Sequence, residues 1–420
     1  MKSSSFLPRL IASAALFVSM LSCSENLDSS GVCSVLCPPI GGDVQNITID
    51  AVLIDTTVPA LSGLGTEPAL LLASRGDSLD TRIVIRFDSL PETFIPAGDT
   101  AKPVTSVDSA YIQLQLDTLS IKGTDPVTIE AYDVDTTAND TSSEAILALF
   151  RPDRFISSQT FARADLKDTV KYFIPNAALL SRIQSRAPLR IGLRAVSTGS
   201  TQMRFASSES GFGPELLFRA TPDTLTKPLI VFPFSKTPVG QGLVATDLAD
   251  YTVIAKGPPP APPGVLAIGG LPARRVYVQF NIPSKFIDSA TVVRATLLLN
   301  QLPLTGLDPT DTVRLQPQVV LAGSAVLDPV KAAQIIGDFN VDTLKVIPGG
   351  SGRKNVELAR AFALWRTVRP DTLPRAIVLK SVTEGNSPLE IRFSSSEDPN
   401  AALRPQLRIS FTNKVPLGLP

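Results

Sequence analysis

The sequence predicts an all-β chain: two tandem β-sandwich domains with short helical insertions, after a signal peptide and a flexible tether. Three observations predict it. An apolar N-terminal run ends at a cysteine, a long repeat divides the rest, and short runs of Val, Ile, Leu, Thr and Phe are bounded by Pro, Gly, Asp and Ser. At 420 residues, 44% of them hydrophobic and 19% charged, the chain is too long for one ordinary core and has apolar material for two.

Lys2 and Arg9 precede the apolar run Leu10 to Leu21, which has the length of a signal-peptide core and is too short to span a bilayer. Residues 1–22 are therefore expected to be removed. The run closes with Ser19-Met20-Leu21-Ser22-Cys23, which resembles a bacterial lipobox, with Met20 where Leu is usual. The resemblance implies a lipid on Cys23, and Ser24 in place of Asp implies sorting to the outer membrane, on its periplasmic or surface face. Residues 23–44, rich in Ser, Asn, Asp and Gly, read as a tether. Cys33 and Cys37 lie within it. A C-x3-C pair lacks the second half of a zinc site, so a local disulfide formed after export is expected. All three cysteines precede the domains, which must stand on packing alone.

The repeat appears at three anchors. Thr81 to Phe87 is echoed by Arg274 to Phe280, 193 residues on from Phe87 to Phe280. Arg204-Phe205-Ala206-Ser207-Ser208-Glu209 is echoed by Arg392-Phe393-Ser394-Ser395-Ser396-Glu397, and Pro214-Glu215-Leu216 by Pro405-Gln406-Leu407. Between the anchors, β-rich runs at Asp108 to Leu116 and Val293 to Asn300 correspond. Helical intervals follow at 144–150 and 176–183 in the first copy and at 331–336 and 360–368 in the second, with Ser142, Ser143 and Asp328 as caps and Pro329 at a first turn. The predicted domains are residues 45–220 and 227–413, joined at Ala220 to Thr226. Alternation of Arg82, Val84 and Arg86 with Ile83, Ile85 and Phe87 predicts one face on a core and the other in water. The Gly257 to Gly264 segment, five prolines among eight residues, reads as a polyproline loop interrupting the second copy.

The order of these features resembles the DNRLRE-type domain of exported bacterial proteins, a family similar to carbohydrate-binding β-sandwich modules. Arg275, Phe280, Ala295-Thr296-Leu297, Trp365, Phe393, Ser395-Ser396-Glu397 and Pro405-Gln406-Leu407 carry the resemblance in the second copy. Arg82, Phe87, Phe205, Ser207-Ser208-Glu209 and Pro214 carry it in the first. It implies a jelly-roll-like fold and glycan binding, and it supplies no catalytic residues.

The chemistry the residues permit is narrow. Lys plus Arg and Asp plus Glu each number 39, which leaves no net field for a nucleic acid, and histidine is absent, which removes the commonest base for an activated serine. The two Ser-Ser-Glu triplets therefore read as turn caps. Asp133, Asp135, Thr137, Thr141 and Glu144 fall at positions 1, 3, 5, 9 and 12 of a calcium-loop spacing, yet Ala138 stands where the sharp turn calls for Gly and a strand precedes it, so a polar connection competes with a calcium site. One Trp and five Tyr are few for glycan stacking, and Trp365 shares a helix face with Phe362, which favours core packing. The expectation is a lipid-anchored binding protein and no enzyme. Its partner is a polysaccharide on the resemblance; the alternative is a structural or protein-binding envelope lipoprotein.

Overall fold

A computed structural model describes residues 44–60, 65–96, 100–135, 142–220, 227–236, 248–305, 307–338, 343–368 and 372–413. The signal segment, the tether and Cys23, Cys33 and Cys37 lie outside the described residues. The main strands of the first half are β1 (Gln45–Ile49), β2 (Val52–Pro59), β3 (Ala69–Ser74), β4 (Asp80–Phe87), β5 (Val107–Gln115), β6 (Val127–Asp133), β7 (Phe155–Phe161), β8 (Thr169–Phe173), β9 (Leu189–Val196), β10 (Thr201–Ala206) and β11 (Glu215–Ala220). Those of the second are β12 (Leu229–Val231), β13 (Asp250–Lys256), β14 (Val265–Gly269), β15 (Arg274–Phe280), β16 (Ala290–Leu302), β17 (Val313–Val320), β18 (Gly352–Glu357), β19 (Ala376–Ser381), β20 (Glu390–Ser394) and β21 (Gln406–Asn413). The helices are α1 (Ser143–Leu147), α2 (Asn176–Ser185), α3 (Pro329–Ala332) and α4 (Ala359–Thr367).

The strands form two antiparallel sandwiches. In module 1 an outer sheet, β8-β5-β11-β12, faces an inner sheet built on β10, β3, β4, β9, β6 and β7. In module 2 the corresponding sheets are β18-β16-β21-β1 and β20, β14, β15, β19 and β17. They run together there because β16 pairs with β21 in one and, through Gln301 and Leu302, with β20 in the other. Alternating inward residues fill each sandwich. Ile83, Ile85 and Phe87 meet Ile112, Leu114 and Phe218 in module 1, while Val276, Val278 and Phe280 meet Leu297, Leu299 and Ile409 in module 2. Two separate cores result, and the β-sandwich class predicted from the repeat is the fold.

The boundaries 45–220 and 227–413 do not coincide with the sheets. β1 pairs with β21 and β2 with β15, so the first two strands complete module 2. β12 pairs with β11 and β13 with β4, so the first two strands of the second half complete module 1. The exchange is reciprocal and uses matched side chains. In module 1 the Ser208 amide and hydroxyl donate to Asp250 of β13 at 3.0 and 2.6 Å, and in module 2 the Ser396 amide donates to Asp55 of β2 at 2.7 Å. Thr252 accepts from the Leu71 amide, and Thr57 from the Ala267 amide, both at 2.9 Å. Each Ser-Ser-Glu turn is thus capped by an aspartate from the other copy. Local alternation encodes which face of a strand is buried but not which strand lies beside it, and this is why the linear reading misplaced these four.

The joint between modules is consequently not Ala220 to Thr226, which connects β11 to β12 within module 1. The chain passes between modules twice, between Ala60 and Pro68 and through the polyproline segment. A Cβ on Gly257 would stand 2.2 Å from the Leu271 carbonyl oxygen, and Gly264 has φ +75°, so both ends require glycine. Across the joint Lys122 pairs with Asp308 at 2.9 Å and Asp311 at 2.7 Å, and Leu271 packs among Leu71, Ala73 and Leu79.

Local expectations fared unevenly. α1 and α3 stop earlier than predicted, at Leu147 and Ala332, with Ser142 accepting from the Ala145 amide and Asp328 from the Val330 amide as caps. The water-facing side of β4 is covered: Val84 packs with Tyr132, Ile146, Leu248 and Tyr251, Arg82 lies 4.7 Å from the Phe150 ring, and Arg86 is fully buried. α1 and the segment after it roof that face, a long-range contact that strand periodicity does not carry.

Candidate functional site

The exposed face of the module 1 outer sheet is where unburied aromatic residues and hydrogen-bonding side chains meet. On β5 the even-numbered residues Ala110, Ile112 and Leu114 point into the core, which turns Tyr111, Gln113 and Gln115 outward. Register then sets two rows across the four strands. Phe173, Tyr111, Leu217 and Ile230 form one, and Lys171, Gln113 and Glu215 form the next. Neighbours in such a row stand about 4.8 Å apart.

Phe173 is 55% and Ile230 51% exposed. The Phe173 and Tyr111 rings lie 5.7 Å apart, tilted by 55°, and the Lys171 ammonium sits 5.0 Å from the Tyr111 centroid. Gln113 donates to Glu215 at 3.2 Å, and Thr169 donates to Gln115 at 3.4 Å. At the end of the polar row a cavity of about 330 Å³ is lined by Gln113, Gln115, Ser208, Glu215, Phe212 and Phe232. Phe212 is 74% and Phe232 65% exposed, so two phenyl rings at its rim are open to solvent. The volume is at the lower end of small-molecule sites.

Among the described residues the outer sheet of module 2 offers no equivalent. At the same register its outer sheet carries Glu357, Thr296, Arg408 and Thr48 where module 1 has Phe173, Tyr111, Leu217 and Ile230. Glu357 is engaged by Arg294 at 2.9 Å. A cavity of about 350 Å³ in module 2 lies instead beside Pro260 to Gly264 and Ser395, with Asp55 in its wall already committed to Ser396.

The residues singled out from the sequence are dispersed. Trp365 is buried against Phe280 and Phe362, at ring distances of 5.9 and 5.4 Å, as core packing predicts. Tyr132, Tyr172, Tyr251 and Tyr277 are buried, and Tyr111 alone of the five faces out. Asp133 and Asp135 face arginines: Arg182 reaches them at 2.7 and 3.3 Å, Arg154 donates to the backbone carbonyls of both, and Arg190 stands 3.7 Å from Asp135. Thr137 and Thr141 lie outside the described residues, and Glu144 is exposed in the first turn of α1. Among the described residues no group of three His, Cys, Asp or Glu side chains is placed to hold a metal ion. Ser395 accepts from the Glu397 amide at 3.2 Å and so caps its own turn, whereas Ser207 donates to the Glu67 carbonyl at 2.6 Å and makes no cap bond, its turn being capped by Asp250.

The outward row was missed because Phe173, Leu217 and Ile230 come from three distant segments. Each looks like an ordinary strand residue until register aligns them. The odd-even pattern of β5, with Gln113 and Gln115 opposite Ile112 and Leu114, was the one available signal.

No family model matches the chain, and no curated protein matches it. Among solved structures, the N-terminal CBM22-1-CBM22-2 tandem domain of Paenibacillus barcinonensis Xyn10C is 9% identical, covering 89% of this chain and 98% of that one, with a TM-score of 0.14. The infectious bursal disease virus Gt strain structure is 10% identical, covering 90% and 78%, with a TM-score of 0.12. At such scores neither likeness bears on function.

Proposed function

We propose that the chain is a cell-envelope protein, lipid-anchored through Cys23, that binds carbohydrate on the outer face of module 1 and catalyses no reaction on it. The observation that carries the reading is the outward row Phe173, Tyr111, Leu217 and Ile230, in which Phe173 and Ile230 are exposed, Tyr111 half-buried and Leu217 buried, beside Lys171, Gln113 and Glu215, set against the polar row at the same register in module 2. A pyranose ring presents an apolar face and a rim of hydroxyls. Phenyl and phenol rings stack on the first, and amide, carboxylate and ammonium groups bond the second. Phe212 and Phe232 flank the cavity into which a single ring would project.

Lipid-free protein on a glycan array tests this. Binding to at least one polysaccharide is expected, and Phe212→Ala or Phe232→Ala should each weaken it about tenfold without moving the melting temperature, as befits exposed rings. Failure to bind any polysaccharide removes the carbohydrate reading and leaves a protein partner for this face. The anchor is tested separately. Labelled fatty acid should enter the wild-type chain and not Cys23→Ser.

A further inference from the structure

We propose that residues 45–60 are an exchangeable donor segment, and that the partner able to supply them is a second copy of this chain. The backbone pairing of β1 and β2 is to module 2, five register pairs with β21 and seven with β15. Their side chains follow. Asp55 caps Ser396, Thr57 accepts from the Ala267 amide, Asn46 accepts from the Ser410 hydroxyl, and Asp50 accepts from Gln406 at 2.9 Å. The Ala60 amide still donates to Ala273 of module 2 at 2.9 Å, whereas the Pro68 carbonyl accepts from Ser207 of module 1 at 3.3 Å. The chain therefore crosses between modules from Ala60 to Pro68. Every bond named here is unchanged if the segment arrives from a neighbouring molecule, which is the condition for domain swapping. Module 1 lacks that freedom, since β12 and β13 follow β11 on the same side of the polyproline joint.

What holds the segment in its own chain is the effective concentration given by a short connection, on the order of millimolar. Exchange therefore competes once chains approach that concentration. Attachment of many chains to one membrane, as proposed above, would bring them toward it, but the exchange itself does not depend on the anchor or on any glycan.

Thr48 of β1 and Arg408 of β21 stand opposite each other and are both exposed. In the full chain with Cys23, Cys33 and Cys37 changed to serine, Thr48→Cys with Arg408→Cys brings two thiols within disulfide reach. After refolding at about 10 µM, oxidation should give an intrachain bond, and after refolding at about 1 mM roughly a third or more of the chain should run as disulfide-linked dimer or larger species. A mixture of the two single variants refolded at the higher concentration should give the mixed dimer. An intrachain bond alone at both concentrations, or no mixed dimer, overturns the proposal. Should the double variant fail to fold, light scattering on the three-serine chain decides. A doubled mass after refolding at the higher concentration supports exchange, and a monomer at both refutes it.

Discussion

Deleting the chain up to Ala60 should unfold module 2 and leave module 1 folded. β2 lies between β14 and β15, held to β15 by seven register pairs and to β14 by Thr57, and β1 forms the edge beyond β21 with five more. At roughly 0.5–1.5 kcal/mol net per hydrogen bond, with buried Val58 and Ala51 lost as well, the deficit is comparable to the roughly 5–15 kcal/mol that stabilises a whole domain. Hydrogen exchange read by mass spectrometry should show residues 265–413 unprotected and residues 69–256 as in the full chain. Persisting protection over β14, β15 and β21 would refute the assignment. The fragments sharpen the test. Residues 65–256 should fold alone, whereas 45–220, the domain suggested by the repeat, should not, because it carries β1 and β2 without their partners and leaves β4 without β13.

Asp88→Asn should be among the most damaging single substitutions in module 1. Asp88, 2% exposed at its side chain, accepts from Arg190 at 2.8 and 2.7 Å and from the Lys236 amide at 2.8 Å. Beside it Arg86 donates to Tyr251 at 2.8 Å and Ser235 at 3.3 Å. Neutralising the carboxylate takes from buried Arg190 its bidentate counter-charge and leaves only Asp135, 3.7 Å away, among the carboxylates named here, a loss of about 3–5 kcal/mol. At the matching positions module 2 has Asn281 and Ala376, an uncharged solution to the same site. The double change Asp88→Asn with Arg190→Ala should therefore be less destabilising than Asp88→Asn alone, which chemical denaturation would show.

The same pair makes module 1 acid-sensitive. Burial pushes the Asp88 carboxyl up, but the Arg190 hydrogen bond, the Lys236 amide and the charges of Arg190 and Arg86 outweigh it and hold the group below its ordinary 3.8. A folded value below the unfolded one means that the stabilisation is complete above the ordinary carboxylate value. It is lost as pH falls from there through the folded value. Melting of module 1 should drop across that interval, and Asp88→Asn should flatten the drop. An unchanged slope in the variant would show that other carboxylates govern the acid limb.

The sequence made two β-sandwich cores legible because duplication preserved the residues that touch the core. Phe87 and Phe280, Phe205 and Phe393, and Leu216 and Leu407 are buried at equivalent places. It also held the trace of the exchange. Asp55, Thr57 and Val58 recur as Asp250, Thr252 and Val253, an offset of 195 residues from Asp55 to Asp250, close to that of the other anchors. Three identities beside segments of unequal length are hard to see without knowing that the aspartate caps a distant turn. The candidate face was less legible still. It depends on register among β8, β5, β11 and β12, and register between remote strands comes from the packed core and not from any one of them. The arginines of β4 illustrate the reverse error, since alternation sends Arg86 to water and Tyr251 and Ser235 receive it inside.

Gln45 lies opposite Phe411, so the two ends of the described residues stand side by side at one edge of the module 2 outer sheet. Joining residue 413 to residue 44 and opening the chain within the polyproline segment would therefore disturb no strand, and in that circular permutant each sandwich would be one unbroken stretch of polypeptide. The native order of translation is thus offset from the order of assembly. β1 and β2 wait through the synthesis of an entire module before the sheet that receives them exists.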